Sequence, residues 1–271
     1  MEGIAADWIQ WLAFLATGAV AGTLAGLLGV GGGLFIVPVL LFILPITGIN
    51  TPHLMALAVA TSLATIIVTS ISSIRAHHKR GAVNWSVFSW LTPGILVGAW
   101  AGAFVADWMT GTQLTLFFGV AVVIIGLQMF FGTKTTPHDE PKHKLLYYLS
   151  GSFIGLISAM IGIGGGSLTV PLLYYWKTPM VKAVATSAAC GLPIAIAGTL
   201  GFIVAGWNEP QLPDDTFGYV YWPAVLGIIT TSILFAPVGA HFAHTVDAVK
   251  LKKFFAIFLI LVGIKLLFGQ L

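Results

Sequence analysis

Long apolar stretches make up most of the chain, broken at near-regular intervals by short polar or charged connections. A bilayer-spanning helix needs about 20 mostly apolar residues. Seven runs are therefore predicted as spans, at residues 8–28, 54–74, 85–106, 114–131, 181–205, 217–242 and 254–268, and residues 145–163 make an eighth. Two further apolar pieces, 34–46 and 167–176, are too short to cross about 30 Å of hydrocarbon at about 1.5 Å per residue. They read as half-helices or re-entrant arms, with crossing and returning both open. Glu2 and Asp7 precede the first run, whereas a cleaved signal peptide begins with positive charge, so that run is expected to remain as a span.

Composition strengthens the membrane assignment. Of 271 residues 58% are hydrophobic and only 8% charged, where a soluble domain carries about 25% charged residues. The predicted class is an all-α integral membrane protein. A net charge of +3 on so apolar a chain does not coat a nucleic-acid groove. The single Cys190 excludes an internal disulfide and a multi-cysteine metal site, and no cofactor or metal is expected.

The polar connections sort by charge. Arg75/Lys79/Arg80, Lys134/Lys142/Lys144, Lys177/Lys182 and Lys250/Lys252/Lys253 alternate with connections bearing Asp107 and Glu209/Asp214/Asp215. If each apolar piece reverses the side of the chain, or each short piece pairs with its predecessor as a re-entrant hairpin, eleven of the twelve cations share one face. The positive-inside rule makes that face cytoplasmic and puts both termini outside, on the periplasmic side of a cell (inner) membrane. Lys265, the exception, lies close enough to the end of its run to snorkel to the outer interface. Trp8, Trp85, Trp207 and Trp222 read as interfacial anchors.

The chain also repeats itself. Gly29-Val-Gly31-Gly32-Gly33-Leu-Phe-Ile-Val37-Pro38 returns as Gly162-Ile-Gly164-Gly165-Gly166-Ser-Leu-Thr-Val170-Pro171. Thr51-Pro52 matches Thr178-Pro179, and Val59-Ala60-Thr61-Ser62 matches Val184-Ala185-Thr186-Ser187. Five apolar elements per half, an odd number, make the halves inverted repeats with eight to ten transmembrane helices in all: residues 1–132, a cytoplasmic linker at 133–144, and residues 145–271. Inverted repeats with interrupted helices at matching positions are an architecture of secondary transporters, which bind substrate near the bilayer midplane between the repeats.

The repeated motif supplies the candidate site. A glycine triplet lets backbone unwind and approach a ligand closely, and unwound backbone at membrane depth survives only where it lines a cavity or is buried in protein. Its free N–H groups, with the N-terminus of the following helix, suit an anion. Gly31, Gly32, Gly33, Gly164, Gly165 and Gly166 are therefore candidate substrate-binding residues, joined by the hydroxyls of Thr61, Ser62, Thr186 and Ser187. The competing reading gives the glycines to tight helix crossing, as in Gly94-x-x-x-Gly98-x-x-x-Gly102, and the hydroxyls to back-bonding along their own helices. Lys182, one turn from Thr186, is the candidate for attracting an anion to the inner mouth, against snorkelling to the headgroups. His241, His244 and Asp247 recur every three residues; His241 is the candidate for a proton relay, and the row is too small for a metal shell. His53 reads as interfacial, and Cys190 as inert packing.

The paired Gly-x-Gly-Gly-Gly loops, each followed by Pro and then an Ala-Thr-Ser helix across a duplicated chain, resemble the sulfite exporter TauE/SafE family over nearly the whole sequence. The resemblance implies a membrane transporter of sulfite, organosulfonates or related small anions, with no catalytic residues and no enzymatic activity. The expected function is thus secondary transport, in the export direction, of a small sulfur oxyanion; an anion channel and an intramembrane enzyme or maturation factor are the alternatives. Expected partners are that anion and the lipid bilayer, and the Gly-x-x-x-Gly faces permit a homo-oligomer.

Overall fold

A computed structural model describes residues 2–28, 32–132, 141, 143–242 and 248–269. Among the described residues the chain forms α1 (Glu2–Leu28), α2 (Gly33–Ile46), α3 (Leu54–Lys79), α4 (Trp85–Trp108), α5 (Gly111–Phe131), α6 (Lys144–Ile161), α7 (Gly166–Tyr175), α8 (Met180–Ala205), α9 (Trp222–Phe242) and α10 (Ala248–Phe268). One small antiparallel ladder, β1 (Thr216–Phe217) on β2 (Val220–Tyr221), precedes α9. Among the described residues seven helices are long and apolar enough to cross a membrane, and large apolar side chains such as Val97, Phe153, Leu200 and Phe254 are exposed on the outer faces. An apolar exterior around an apolar core is what lipid, rather than water, stabilises. Gly31 and most of the connection between the halves lie outside the described residues.

Local chemistry sets the helix boundaries. The Thr110 hydroxyl accepts the Gln113 N–H at 3.2 Å while the Gln113 side chain accepts the Thr110 N–H at 2.9 Å, a reciprocal cap that starts α5. Asn84 caps α4 by accepting the Val87 N–H at 3.3 Å. At the end of α6, Gly162 turns left-handed with φ 76°, and the Ile163 N–H closes onto the Ser158 carbonyl at 3.0 Å. This is a Schellman stop, and it ends the helix before the glycine triplet.

Helix directions follow from the close approaches. Gly94, Gly98 and Gly102 of α4 press in turn on the backbone of Tyr148, Ser152 and Leu156, so α4 and α6 run parallel. Gly18 and Gly22 of α1 meet Ile228 and Ser232 of α9 in the same sense. In contrast, Leu63 of α3 faces Gly198 of α8 and Ser70 faces Gly191, so these two are antiparallel; Gly119 near Gly263 and Gly126 near Ala256 make α5 and α10 antiparallel too. Exchanging each helix for its counterpart in the other half maps α4/α6 onto α9/α1 and returns α3/α8 and α5/α10 to themselves. An antiparallel self-pair is the signature of a two-fold axis lying across the helices, the relation expected of inverted repeats.

The short helices re-enter. Trp176, which closes α7, packs against Tyr147 in the first turn of α6 with ring centroids 4.9 Å apart, so α7 returns to the end where α6 began. Likewise α2 begins beside Ala21, deep along α1, and finishes with Phe42 under Lys265 of the last turn of α10, 4.3 Å from ring centroid to Nζ. The two ends of the bundle differ in charge. Arg75, Lys79, Arg80, Lys144, Lys177, Lys182, Lys250, Lys252 and Lys253 all fall at one, while Asp107, Glu209, Asp214, Asp215 and Lys265 fall at the other.

The glycine faces thus hold the halves to each other within one chain. A Cβ on Gly98 would fall on the Ser152 carbonyl, a backbone atom that cannot move aside cheaply. Gly98→Val is expected to destabilise the protein in micelles by about 1–3 kcal/mol, read as a lower thermal midpoint; an unchanged midpoint would contradict this packing.

Candidate functional site

The Gly162–Gly166 loop lies at the centre of the bundle, and every residue in it is buried. Gly165 adopts φ 74°, a left-handed conformation natural to glycine, and its carbonyl accepts the N–H groups of Leu168 and Thr169 at 3.1 and 2.7 Å. The first N–H groups of α7 precede any intrahelical acceptor and give that end of the helix partial positive charge. Gly191 of α8 packs on the Gly164 carbonyl, Ile66 of α3 covers both Gly164 and Gly33, and Gly33 presses against the Gly162 carbonyl. The start of α2 therefore meets the loop that leads into α7. Gly32 is buried beside Ala21.

The hydroxyls divide into two groups. Ser62 donates to the Gly162 carbonyl at 2.9 Å, a buried bond from the first half to the unwound backbone of the second. Thr61 accepts the Tyr221 N–H at 3.0 Å, just before α9, and Thr186 accepts the Asn84 N–H at 2.9 Å, just before α4. Those two bonds are two-fold counterparts: each half anchors the entry of a long helix in the other. Thr61 and Thr186 act as acceptors there and keep their O–H donors, while the Ser62 hydrogen is committed. The α3/α8 register separates Thr61 from Thr186 by about fourteen residues along the α3 axis, roughly 20 Å. The two hydroxyl pairs are thus not brought together into one cluster.

A second group has no protein partner. The Oγ atoms of Ser158, Ser167 and Ser187 and Oγ1 of Thr169 are buried without a hydrogen bond. Thr169 is fully buried in the first turn of α7, with its Oγ1 3.3 Å from where a Cβ on Gly165 would stand. Ser187, also fully buried, lies one turn before Gly191 on the same face of α8. Buried hydroxyls are satisfied in the great majority of cases, and an unsatisfied one costs about 1–3 kcal/mol. Of these four, Ser167 and Thr169 stand in the first turn of α7, beside its N-terminus.

The sequence points to Ser187 and the glycines but not to Thr169, Ser158 or Ser167. A signal was present in the repeat: Ser167 and Thr169 replace Leu34 and Ile36 of the first copy, so the second loop is the polar one. Lys182 is exposed in the first turn of α8, at the basic end and one turn from Thr186. The side chain of His241, and His244 and Asp247 with it, lie outside the described residues, as does Gly31.

The model of the sulfite exporter TauE/SafE family matches residues 14–266. A "Probable membrane transporter protein" of Haemophilus influenzae is 39% identical over 256 residues, covering 93% of this chain and 96% of its own length. YunE of Bacillus subtilis, with the same description, is 25% identical over 280 residues, 96% of this chain and 98% of its own. A third such protein, from Methanocaldococcus jannaschii, is 29% identical over 225 residues, 82% of this chain and 79% of its own. No solved structure matches the chain.

The cross-half bonds make a direct test. Thr61→Val removes the acceptor of a buried N–H and is expected to cost about 1–3 kcal/mol of stability in micelles, whereas Thr61→Ser retains most of it. Equal stability of the two variants would contradict the anchoring role.

Proposed function

The chain belongs to the sulfite exporter TauE/SafE family, and from that premise we propose that it is a secondary transporter of a small sulfur oxyanion, sulfite or an organosulfonate, bound between the halves at the Gly162–Gly166 loop. It is a multi-pass membrane protein. The observation that carries the reading is the set of partnerless buried hydroxyls, Thr169 in the first turn of α7 and Ser187 one turn from Gly191, which packs on the loop.

The chemistry suits an oxyanion that must be released again. Backbone N–H groups of Gly164, Gly165 and Gly166 and two or more hydroxyls donate hydrogen bonds, and the helix end contributes about half a positive charge. A buried Lys or Arg would hold the anion more tightly and slow its exit. Burial of the whole loop suits an occluded carrier site better than an open pore. Ser62, by holding the Gly162 carbonyl, fixes the loop's shape, and Thr61 and Thr186 fix the helices that frame it. In this reading Gly32 and Gly33 back the second loop rather than forming a separate site.

By the positive-inside rule the basic end is cytoplasmic and both termini face outside. The halves are residues 1–132 and 145–271, joined by the basic linker 133–144 in the inner membrane of a cell. An inside-negative potential then favours anion exit by about 2.3 kcal/mol per charge per 100 mV, so export needs no nucleotide. Lys182 supplies attraction at the inner mouth.

Counterflow in proteoliposomes tests the proposal: with unlabelled sulfite inside, labelled sulfite outside should accumulate transiently above equilibrium. Gly165→Val is a poor probe, because its left-handed φ and the nearby Ile194 make any side chain there disruptive. Thr169→Val is nearly isosteric and removes an unpaired hydroxyl, so it should leave the fold as stable or more so while lowering sulfite flux at least about tenfold. Unchanged flux in a folded Thr169→Val protein would overturn the site, and absence of counterflow for sulfite and sulfoacetate would overturn the substrate class.

A further inference from the structure

At the acidic end of the bundle, four side chains from three separate segments form a line. His53, immediately before α3, places Nε2 3.3 Å from Glu209 Oε1 in the connection after α8. Its Nδ1 is 3.5 Å from the hydroxyl of Tyr219, which precedes β2. Tyr219 in turn donates to Asp107 Oδ1, at the end of α4, at 2.7 Å. Beside this line the Thr51 hydroxyl donates to the Gln211 carbonyl at 2.8 Å. Residues 51, 53 and 107 belong to the first half and 209, 211 and 219 to the second, so the line ties the halves together at this end.

The proton inventory is determinate. Tyr219 has one hydroxyl hydrogen and gives it to Asp107. Burial first, then the Asp107 hydrogen bond and the charges of Asp107 and Glu209, hold this phenol well above its usual range, so it keeps that hydrogen. Toward His53 the phenol therefore offers only a lone pair. Nε2 meanwhile faces a carboxylate. With acceptors at both ring nitrogens, the imidazolium alone can donate to both; either neutral tautomer leaves one nitrogen lone pair facing another. The charged groups around His53 reinforce this: Glu209 directly, Asp107 through Tyr219, and Asp214 and Asp215 further along the same connection. Lys265, the one described cation at this end, is held over the Phe42 ring.

The internal repeat provides the control. Where the first half has Thr51-Pro52-His53, the second has Thr178-Pro179-Met180. The paired bonds Thr61–Tyr221 and Thr186–Asn84 put Ala82 at the two-fold position of Tyr219. The Thr178 hydroxyl, counterpart of Thr51, is buried with no partner. The proton-binding line thus exists at one end of a two-fold molecule, and packing alone does not require it.

We propose that His53 binds a proton from the acidic-end solution and, as the imidazolium, latches that end of the protein shut by joining Glu209 to Tyr219 across the halves. Lower pH then populates the latched form and higher pH releases it. Histidine is the side chain whose charge changes between about pH 5 and 8. Resting on the transport reading, this makes the proton on that side a regulator of when the carrier opens there.

The test needs no substrate. Spin labels at Ile46→Cys and Gln211→Cys, exposed positions in the first and second halves, report the gap by pulsed electron paramagnetic resonance in lipid nanodiscs; Cys190, buried, stays in place. One short distance is expected at pH 5, with a longer population growing in as the pH rises to 8. His53→Gln should show the longer population at both pH values, and Glu209→Gln should shrink the short population at pH 5. An identical distribution at pH 5 and pH 8 would overturn the latch, as would a pH response that survives in His53→Gln. Failure of sulfite counterflow would sink the transport reading and leave this measurement intact.

Discussion

Hydrocarbon offers no water to pair a freed peptide group, so a helix broken at membrane depth must have every exposed N–H and C=O met by protein or ligand. The arrangement of this protein follows from that requirement. The break between α6 and α7 exposes the Gly162 carbonyl, and Ser62, one hundred residues earlier, donates to it. Gly33 and Gly191, having no side chains, allow α2 and α8 to close over the rest. The second half does not complete this break alone; it needs the first, and the interlock of α1 with α9 and α4 with α6 brings them together.

What the protein leaves unpaired stands out against this background. Thr61, Ser62 and Thr186 bond across the halves, yet Ser158, Ser167, Thr169 and Ser187 have no partner. The two copies also diverge there, with Ser167 and Thr169 in one against Leu34 and Ile36 in the other. At the acidic end the copies diverge again, with His53 and Tyr219 against Met180 and Ala82. The duplicated fold thus keeps its packing two-fold and breaks symmetry in its polar groups.

Much of this is legible in the chain itself. Hydropathy runs give the helices because lipid demands length and apolarity of each span separately, and the repeated glycine motif gives the relation between the halves. Thr61, Ser62 and Thr186 were legible as polar groups inside spans, but their partners lie 160, 100 and 102 residues away in sequence, so no local pattern separates a hydroxyl free for a ligand from one bonded to a distant peptide. For the same reason His53 reads alone as an interfacial residue, since Asp107, Glu209 and Tyr219 come to it from two other segments. That 34–46 and 167–176 return rather than cross depends on contacts such as Trp176 on Tyr147, which length alone leaves open.

The central claim is that the free donors at the start of α7 receive the oxyanion. Selenite, the heavier analogue of sulfite, scatters anomalously and allows a direct look: crystals of the protein in lipid, grown with selenite, give its position from selenium anomalous differences. The account predicts one peak within hydrogen-bonding distance of Thr169, Ser187 and the backbone of Gly164 to Gly166. A peak at the first loop alone, at Lys182, or outside the bundle would contradict it.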